Sequence, residues 1–333
     1  MKLSIGKLDS DILQKTVLDN IKYKNDCVKI RAGIGEDCAV VDFGQYDCIV
    51  STDPITASVK DIGRLAIHIS CNDIASNGIR PVGITLVLML PEGTTSEEVD
   101  TIMSQAGKAA SEAKVEIVGG HTEVTNAVNQ PVVVSTAFGK VLSQEPQTAA
   151  LMQPGDAVIM TKSAGIEGTG IIVTDYEEEL KGYLTEAEIA EGKKLLEQVS
   201  VIEEGVIAGE IGTRGMHDIT EGGVLGAVWE MCHISGLGVL LEEKDITVNS
   251  VTKKVADKYD IDCLRLISSG SMIIVSAKEK EDEILNALKE ANIEASIIGR
   301  IKEADCGLKI NCADGEVKEI TPPERDELYK VVK

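Results

Sequence analysis

The side chains best suited to chemistry in this sequence are carboxylates placed where the backbone leaves regular structure. Asp73 lies in RLAIHISCNDIASNGIRP, and Ile62, Ala66, Ile69 and Asp73 recur at three- and four-residue steps, which puts them on one helix face. Three of the four are apolar, so an acid sits on the stripe that should point inward. A buried ionised Asp needs donors, a cation or a proton. The alternative is that the last turn, ended by Asn77-Gly78, lifts Asp73 back into water. Glu36-Asp37 in GIGED precedes one strand candidate, and Asp53-Pro54 ends the next. Such strand ends beside Gly or Pro are common places for sites. Two further acids flank glycine pairs: Glu123, with His121, after Gly119-Gly120, and Asp218 before Gly222-Gly223. With four histidines in 333 residues, metal ligation falls mainly to carboxylates, a hard oxygen set that suits Mg²⁺.

The elements that must position these groups alternate between strand and helix. Ile12, Leu13, Val17 and Ile21 mark an opening helix capped by Asp9 or Ser10, after a polar segment, Met1–Leu8, that either frays or folds over a ligand. CAVVDF (38–43) and DCIVSTD (47–53) read as strands, and GITLVLML (83–90) as a fully buried one. A helix over Ser96–Ala113 follows, then VEIVGGHTE (115–123) as a strand running into a Gly-Gly turn, and VVVSTAFG (132–139) as another strand. Polar residues and proline from Gln144 to Pro154 set a boundary, which divides the chain into domains 1–150 and 151–333. The second half begins with a strand at 156–161 and a glycine-rich segment, SAGIEGTG (163–170). One long helix over Leu184–Gly209, a helix after Gly222-Gly223 and another at 281–291 are expected, with strands at 238–242, 272–277, 294–299 and 307–312.

Composition removes several function classes. The net charge is −22, from 33 basic and 55 acidic residues, so the surface repels nucleic acid and anionic membrane. Aromatics are scarce, which argues against stacking platforms for single-stranded nucleic acid. No apolar run is long enough for a signal peptide or membrane span, so the expected location is cytoplasmic. The eight cysteines form no CxxC pair and are expected to be reduced, small, buried side chains. There is no GxxxxGK[ST], no GxGxxG and no GxSxG.

GIGEDCAVV, STD, NDIASNGIRP, VGGHTEV and HDITEGG, in this order, resemble the AIR synthase-related (PurM-like) superfamily. Its members include aminoimidazole ribonucleotide synthase, thiamine-monophosphate kinase, selenophosphate synthetase and the hydrogenase maturation factor HypE, and DIGRLAIHISCNDIASNG is most similar to the HypE branch. The resemblance implies an α+β fold of two domains, each a mixed sheet with helices on one face, and a homodimer. It implies ATP in a cleft between the domains with Mg²⁺ held by acids, and phosphorylation of an oxygen on an unidentified small-molecule or protein acceptor. Residue by residue, it implies metal ligands at Asp37, Glu36, Asp53 and Asp73. Nucleotide contacts are implied at Asn72 of the N-D motif, Gly119, Gly120, Asp218, Gly222 and Gly223, with Gly165 and Gly168 lining the same cleft.

The chain departs from the family pattern twice. The family has an acid after the Gly-Gly pair, and here His121 stands there. Either Glu123 takes over as ligand, or His121 binds metal or serves as acid–base, or His121 is simply hydrogen-bonded in a loop. HypE proper ends in a cysteine that receives a carbamoyl group, whereas this chain ends TPPERDELYKVVK and its last cysteine is Cys312. The expectation is therefore an ATP- and Mg²⁺-dependent phosphotransferase-like enzyme with another acceptor. A HypE-type maturation factor and a non-catalytic nucleotide-binding scaffold are the alternatives.

Overall fold

The computed structural model describes every residue except 1, 2, 4, 5, 57–59, 144–147, 324 and 333. Residues 1, 2, 4 and 5 of the opening segment, and 144–147 of the expected boundary, therefore lie outside the described residues. The first half holds strands β1 (Val28–Ile30), β2 (Ala39–Asp42), β3 (Tyr46–Ile55), β4 (Pro81–Leu90), β5 (Glu116–Val124) and β6 (Val132–Leu142), with helices α1 (Ser10–Thr16), α2 (Ile62–Ser76) and α3 (Ser96–Ala113). Its six-stranded sheet runs β1-β2-β3-β6-β4-β5 and is antiparallel except for the β4–β5 pair.

The second half holds strands β7 (Ala157–Thr161), β8 (Gly215–Asp218), β9 (Gly238–Glu242), β10 (Met272–Ser276), β11 (Ala295–Lys302), β12 (Leu308–Asn311) and β13 (Val317–Glu319). Its helices are α4 (Ile166–Asp175), α5 (Glu177–Leu180), α6 (Glu186–Leu195), α7 (Ile202–Ile211), α8 (Gly223–Ser235), α9 (Ser250–Tyr259) and α10 (Glu281–Glu290). The seven strands run β13-β12-β9-β11-β7-β10-β8. The chain is thus α+β, with two mixed sheets and helices packed on them.

Helix α2 joins the halves. Every residue in it except Arg64 is buried, because it lies between the first sheet and the second half. Glycines set how closely its neighbours approach. A Cβ at Gly63 would fall 2.0 Å from the Ile102 carbonyl of α3, and one at Gly205 of α7 would fall 2.2 Å from the Ala75 carbonyl. Polar contacts then fix the register: the Asn72 amide donates to Val199 O (2.8 Å) and accepts from Val201 N (2.9 Å), and Ser76 Oγ accepts from Asp218 N (3.1 Å).

Several elements differ from the sequence reading. β4 is buried on one face only, since Val82 is 49% exposed and Val87 and Met89 are half-buried. A continuous apolar run does not distinguish two buried faces from one buried and one partly covered. The expected Gly-Gly turn is the middle of β5, where a bulge inserts one extra residue opposite Ile84-Thr85. Gly120 permits the pairing, because a Cβ there would sit 1.8 Å from Leu86 O. The long helix over 184–209 is broken between α6 and α7 by a turn at residues 196–201, and that turn carries the backbone groups that Asn72 binds. SAGIEGTG is mostly the start of α4 rather than a loop, and α9 was not anticipated. α1 is capped by Asp9 as expected but buries no side chain. Of the eight cysteines only Cys38, Cys71 and Cys232 are buried, so the expectation of a mainly buried set is corrected.

Asn72→Ala should lower unfolding stability by about 2–4 kcal/mol, because it leaves a buried N–H and a buried C=O unpaired. Urea unfolding measures this, and a loss under about 0.5 kcal/mol would show that the clip is not a fastening.

Candidate active site in the cleft between the halves

Strand alternation delivers the first acids. Ile49, Ser51, Asp53 and Ile55 share the face of β3 that meets α2, and Asp73 projects from α2 toward them. Ser51 Oγ donates to Asp73 Oδ2, and Ser70 Oγ lies 3.5 Å from Asp53 Oδ2. Glu36 and Asp37 enter from the loop before β2, and Asp218 from the end of β8. These five acids line one cavity of about 750 Å³ whose walls come from both halves of the chain. Asp73 is 6% exposed, so the reading that its turn lifts it into water is excluded.

The acids are short of partners. Both carboxylate oxygens of Asp218 are buried without a hydrogen-bond partner, and burial pushes its carboxyl up to about 6. Burial also holds Asp37 and Asp73 well above the usual carboxylate range; the Asp218 charge adds to both, and for Asp73 the nearby Asp53 comes first after burial. Ligand atoms of Asp37 and Asp218 lie within 4.8 Å of one another, with His217 beside them. Close, buried carboxylates of this kind fit a divalent cation.

His217 was not singled out by the sequence reading. Its Nδ1 lies 2.6 Å from the Asp218 carbonyl, and its Nε2 lies 3.2 Å from both Asp37 Oδ1 and Glu230 Oε2. A carbonyl and two carboxylates surround the ring, which favours its protonated form over metal ligation. Burial alone would lower its pKa, but Asp37, Glu230 and Asp218 together raise it to about 10. Lys7 is a second cation, solvent-exposed but lining the cavity: its backbone N–H donates to Glu221 Oε2 (3.3 Å) and its Nζ to Thr220 Oγ1 (3.4 Å). Gly6, Lys7 and Leu8 of the opening segment therefore lie on the site. A histidine beside the motif acid, in a chain with four, was the available signal for His217. Glu230, on α8, needs the tertiary structure to be found.

Other expected residues lie elsewhere. Asn72 is fully buried in its interdomain contacts and does not face the cavity, which corrects its placement as a nucleotide contact. Gly165 caps α4 with φ +71°, and Gly168 packs so tightly that a Cβ would meet Leu266 at 2.5 Å. Their neighbour Glu167 faces the cavity instead. Gly222 donates its N–H to Asp326 Oδ2 (2.7 Å), and a Cβ at Gly223 would lie 2.5 Å from Leu264 O, so this pair seats α8 and does not line the cavity. Gly119, Gly120, His121 and Glu123 lie on β5, an exposed sheet edge, and line none of the main cavity. There His121 Nε2 stands 3.4 Å from Glu123 Oε2.

Carboxyls whose folded pKa is raised bind protons more tightly when folded, so the stability they contribute is lost as pH rises through that value. Asp218 acts this way between its ordinary 3.8 and about 6, and His217 from its ordinary 6.5 to about 10. With chelator present, Tm should fall by about 5 °C or more between pH 5 and pH 8. Mg²⁺ should restore it at pH 8 and act weakly at pH 5. Scanning calorimetry showing a flat or rising Tm would contradict the crowding of charge.

Comparisons with known proteins agree with this architecture. Residues 35–141 match the family described as AIR synthase related protein, N-terminal domain, and residues 153–310 match the corresponding C-terminal domain. A putative hydrogenase expression/formation protein of Methanocaldococcus jannaschii is 27% identical, over 93% of this chain and 92% of the relative. The carbamoyl dehydratase HypE of Rhizobium leguminosarum bv. viciae is 27% identical, over 91% of this chain and 84% of its own length. Among solved structures, the HypE–HypF complex contains a chain similar at TM-score 0.76 and 23% identity, covering 94% of this chain and 99% of that one. HypE in complex with ATP is similar at TM-score 0.72 and 22% identity, covering 98% and 97%. With both domains matched in order along one chain, this protein belongs to the AIR synthase-related family.

Proposed function

We propose that the chain binds ATP with Mg²⁺ in the cleft and phosphorylates, or so activates, an oxygen of a small-molecule or protein acceptor. The observation that carries this reading is Asp218, whose two buried oxygens have no partner and face Asp37 from the other half. Asp37, Asp53, Asp73 and Asp218 would hold the cation, with Glu36 beside them. When bound, Mg²⁺ supplies charge neutralisation for the phosphates. The chain's own part is electrostatic and positional: Lys7 offers an ammonium for a phosphate oxygen, while Ser51 orients Asp73. His217 stays protonated and limits repulsion among the acids around it. That HypE, similar in fold over 98% of this chain, has been solved in complex with ATP supports nucleotide binding.

A HypE-type maturation role is the second reading, favoured by the names of the relatives and by a HypE structure that contains a protein partner. We also propose a homodimer. Val118 and Val124 on the edge strand β5 are 50% and 59% exposed, and Val82 and Leu142 of the same sheet 49% and 59%. A second copy would cover this surface, and His121 and Glu123 would then act at a site only through that assembly.

Calorimetry with Mg²⁺ and a non-hydrolysable ATP analogue tests the reading. Asp37→Asn and Asp218→Asn should each weaken binding at least tenfold, the loss of about 1.4 kcal/mol expected when a charged ligand interaction is removed. Unchanged affinity in both variants would take the aspartates out of the site. Light scattering at micromolar concentration should give twice the 35.5 kDa chain mass, and a monomer would contradict the assembly.

A further inference from the structure

The second-half wall of the cavity holds a carboxylate that phosphate chemistry does not use. Glu167 is the second residue of α4 and is 5% exposed, yet it lines the cavity beside Ile267 and Ser269. Its Oε2 is buried and has no hydrogen-bond partner among the described residues. Neighbouring carboxylates are satisfied within the protein. Asp326 accepts from Gly222 N (2.7 Å) and Leu328 N (2.8 Å), and Glu221 accepts from Lys7 N (3.3 Å) and the Tyr329 hydroxyl (3.1 Å). Burial raises the Glu167 carboxyl to about 7; Ser269 opposes this, and the charges of Asp326 and Glu221 add to it.

A first-turn acid suits a helix N-terminus, but it serves that role while exposed to water and needs no burial. A buried carboxylate with an open oxygen costs stability unless something pairs with it. The surrounding charge decides what that partner is. Once the carboxyl is ionised, above about pH 7, a neutral donor would fill one lone pair and leave the negative charge, already beside Asp326 and Glu221, uncompensated. A nitrogen cation fills the lone pair and cancels the charge, and charge-assisted pairs of this kind are the stronger ones.

We propose that Glu167 anchors an acceptor subsite in the cleft, one that binds a nitrogen cation (a protonated amine, amidine or guanidine) on the molecule that receives the phosphoryl group. The acceptor role rests on the ATP reading above; the cation site itself does not. The full chain is titrated with methylammonium, methylguanidinium and neutral acetamide, with and without Mg²⁺ and the ATP analogue, followed by saturation-transfer NMR. The cations should bind at least tenfold tighter than acetamide. Glu167→Gln should lose that preference by tenfold or more while keeping analogue affinity within twofold. Acetamide binding as tightly as the cations, or a cation preference unchanged in Glu167→Gln, overturns the proposal. Should the Gln variant not fold, Glu167→Asp, which keeps the charge but withdraws it, must weaken the preference, and an unchanged one overturns the proposal. A wild-type chain that fails to bind the analogue but ranks the cations as stated would overturn the nucleotide reading and leave the cation site standing.

Discussion

The rest of the structure depends on carboxylates being held together in a cleft where they cannot all be charged unaided. Asp37, Asp53 and Asp73 come from the first half and Asp218 from the second, so closing the chain on itself brings like charges together. Repulsion and burial both favour protons or cations at that point. The buried His217 and the exposed Lys7 at the cavity wall offset part of the charge. The remainder is concentrated on the unpartnered oxygens of Asp218, and it is the charge that the proposed divalent ion would neutralise.

Holding such a cleft closed requires stiffness elsewhere, and α2 provides it. The helix is buried against a sheet on one side and against the other half on another, with Gly63 and Gly205 letting its neighbours reach its backbone. Asn72 and Asp73 are adjacent but serve opposite ends of the problem. One fastens the halves through Val199 and Val201, and the other projects between them into the cavity. Ser76 adds a direct link, since its hydroxyl accepts from the backbone of Asp218. The energy gained by packing α2 thereby offsets the repulsion at the site.

Much of this was legible in the sequence where polar chemistry contradicts local pattern. An acid on an apolar helix stripe, and acids at strand ends beside Gly or Pro, do line the cleft at Asp73, Asp37 and Asp53. Glycine was the less informative signal, because close packing and backbone freedom use the same residue. Gly119-Gly120 is a strand bulge against Leu86, and Gly168 makes room for Leu266, so a packing need accounts for each. Asn72 shows a related ambiguity, since a buried amide beside a site acid can equally well fasten a neighbouring segment. His217, Glu230 and Glu167 became visible only with the fold, which brings a β8 residue and two helix residues to the same cavity from distant sequence positions.

The central claim is that both halves contribute ligands to one cation that also contacts phosphate. Electron paramagnetic resonance with Mn²⁺ in place of Mg²⁺ addresses it directly. Bound Mn²⁺ should show hyperfine coupling to ³¹P when ATP is present, and Asp73→Asn in the first half and Asp218→Asn in the second should each abolish that signal. Mn²⁺ that binds without ³¹P coupling, or coupling that survives either substitution, would contradict the account.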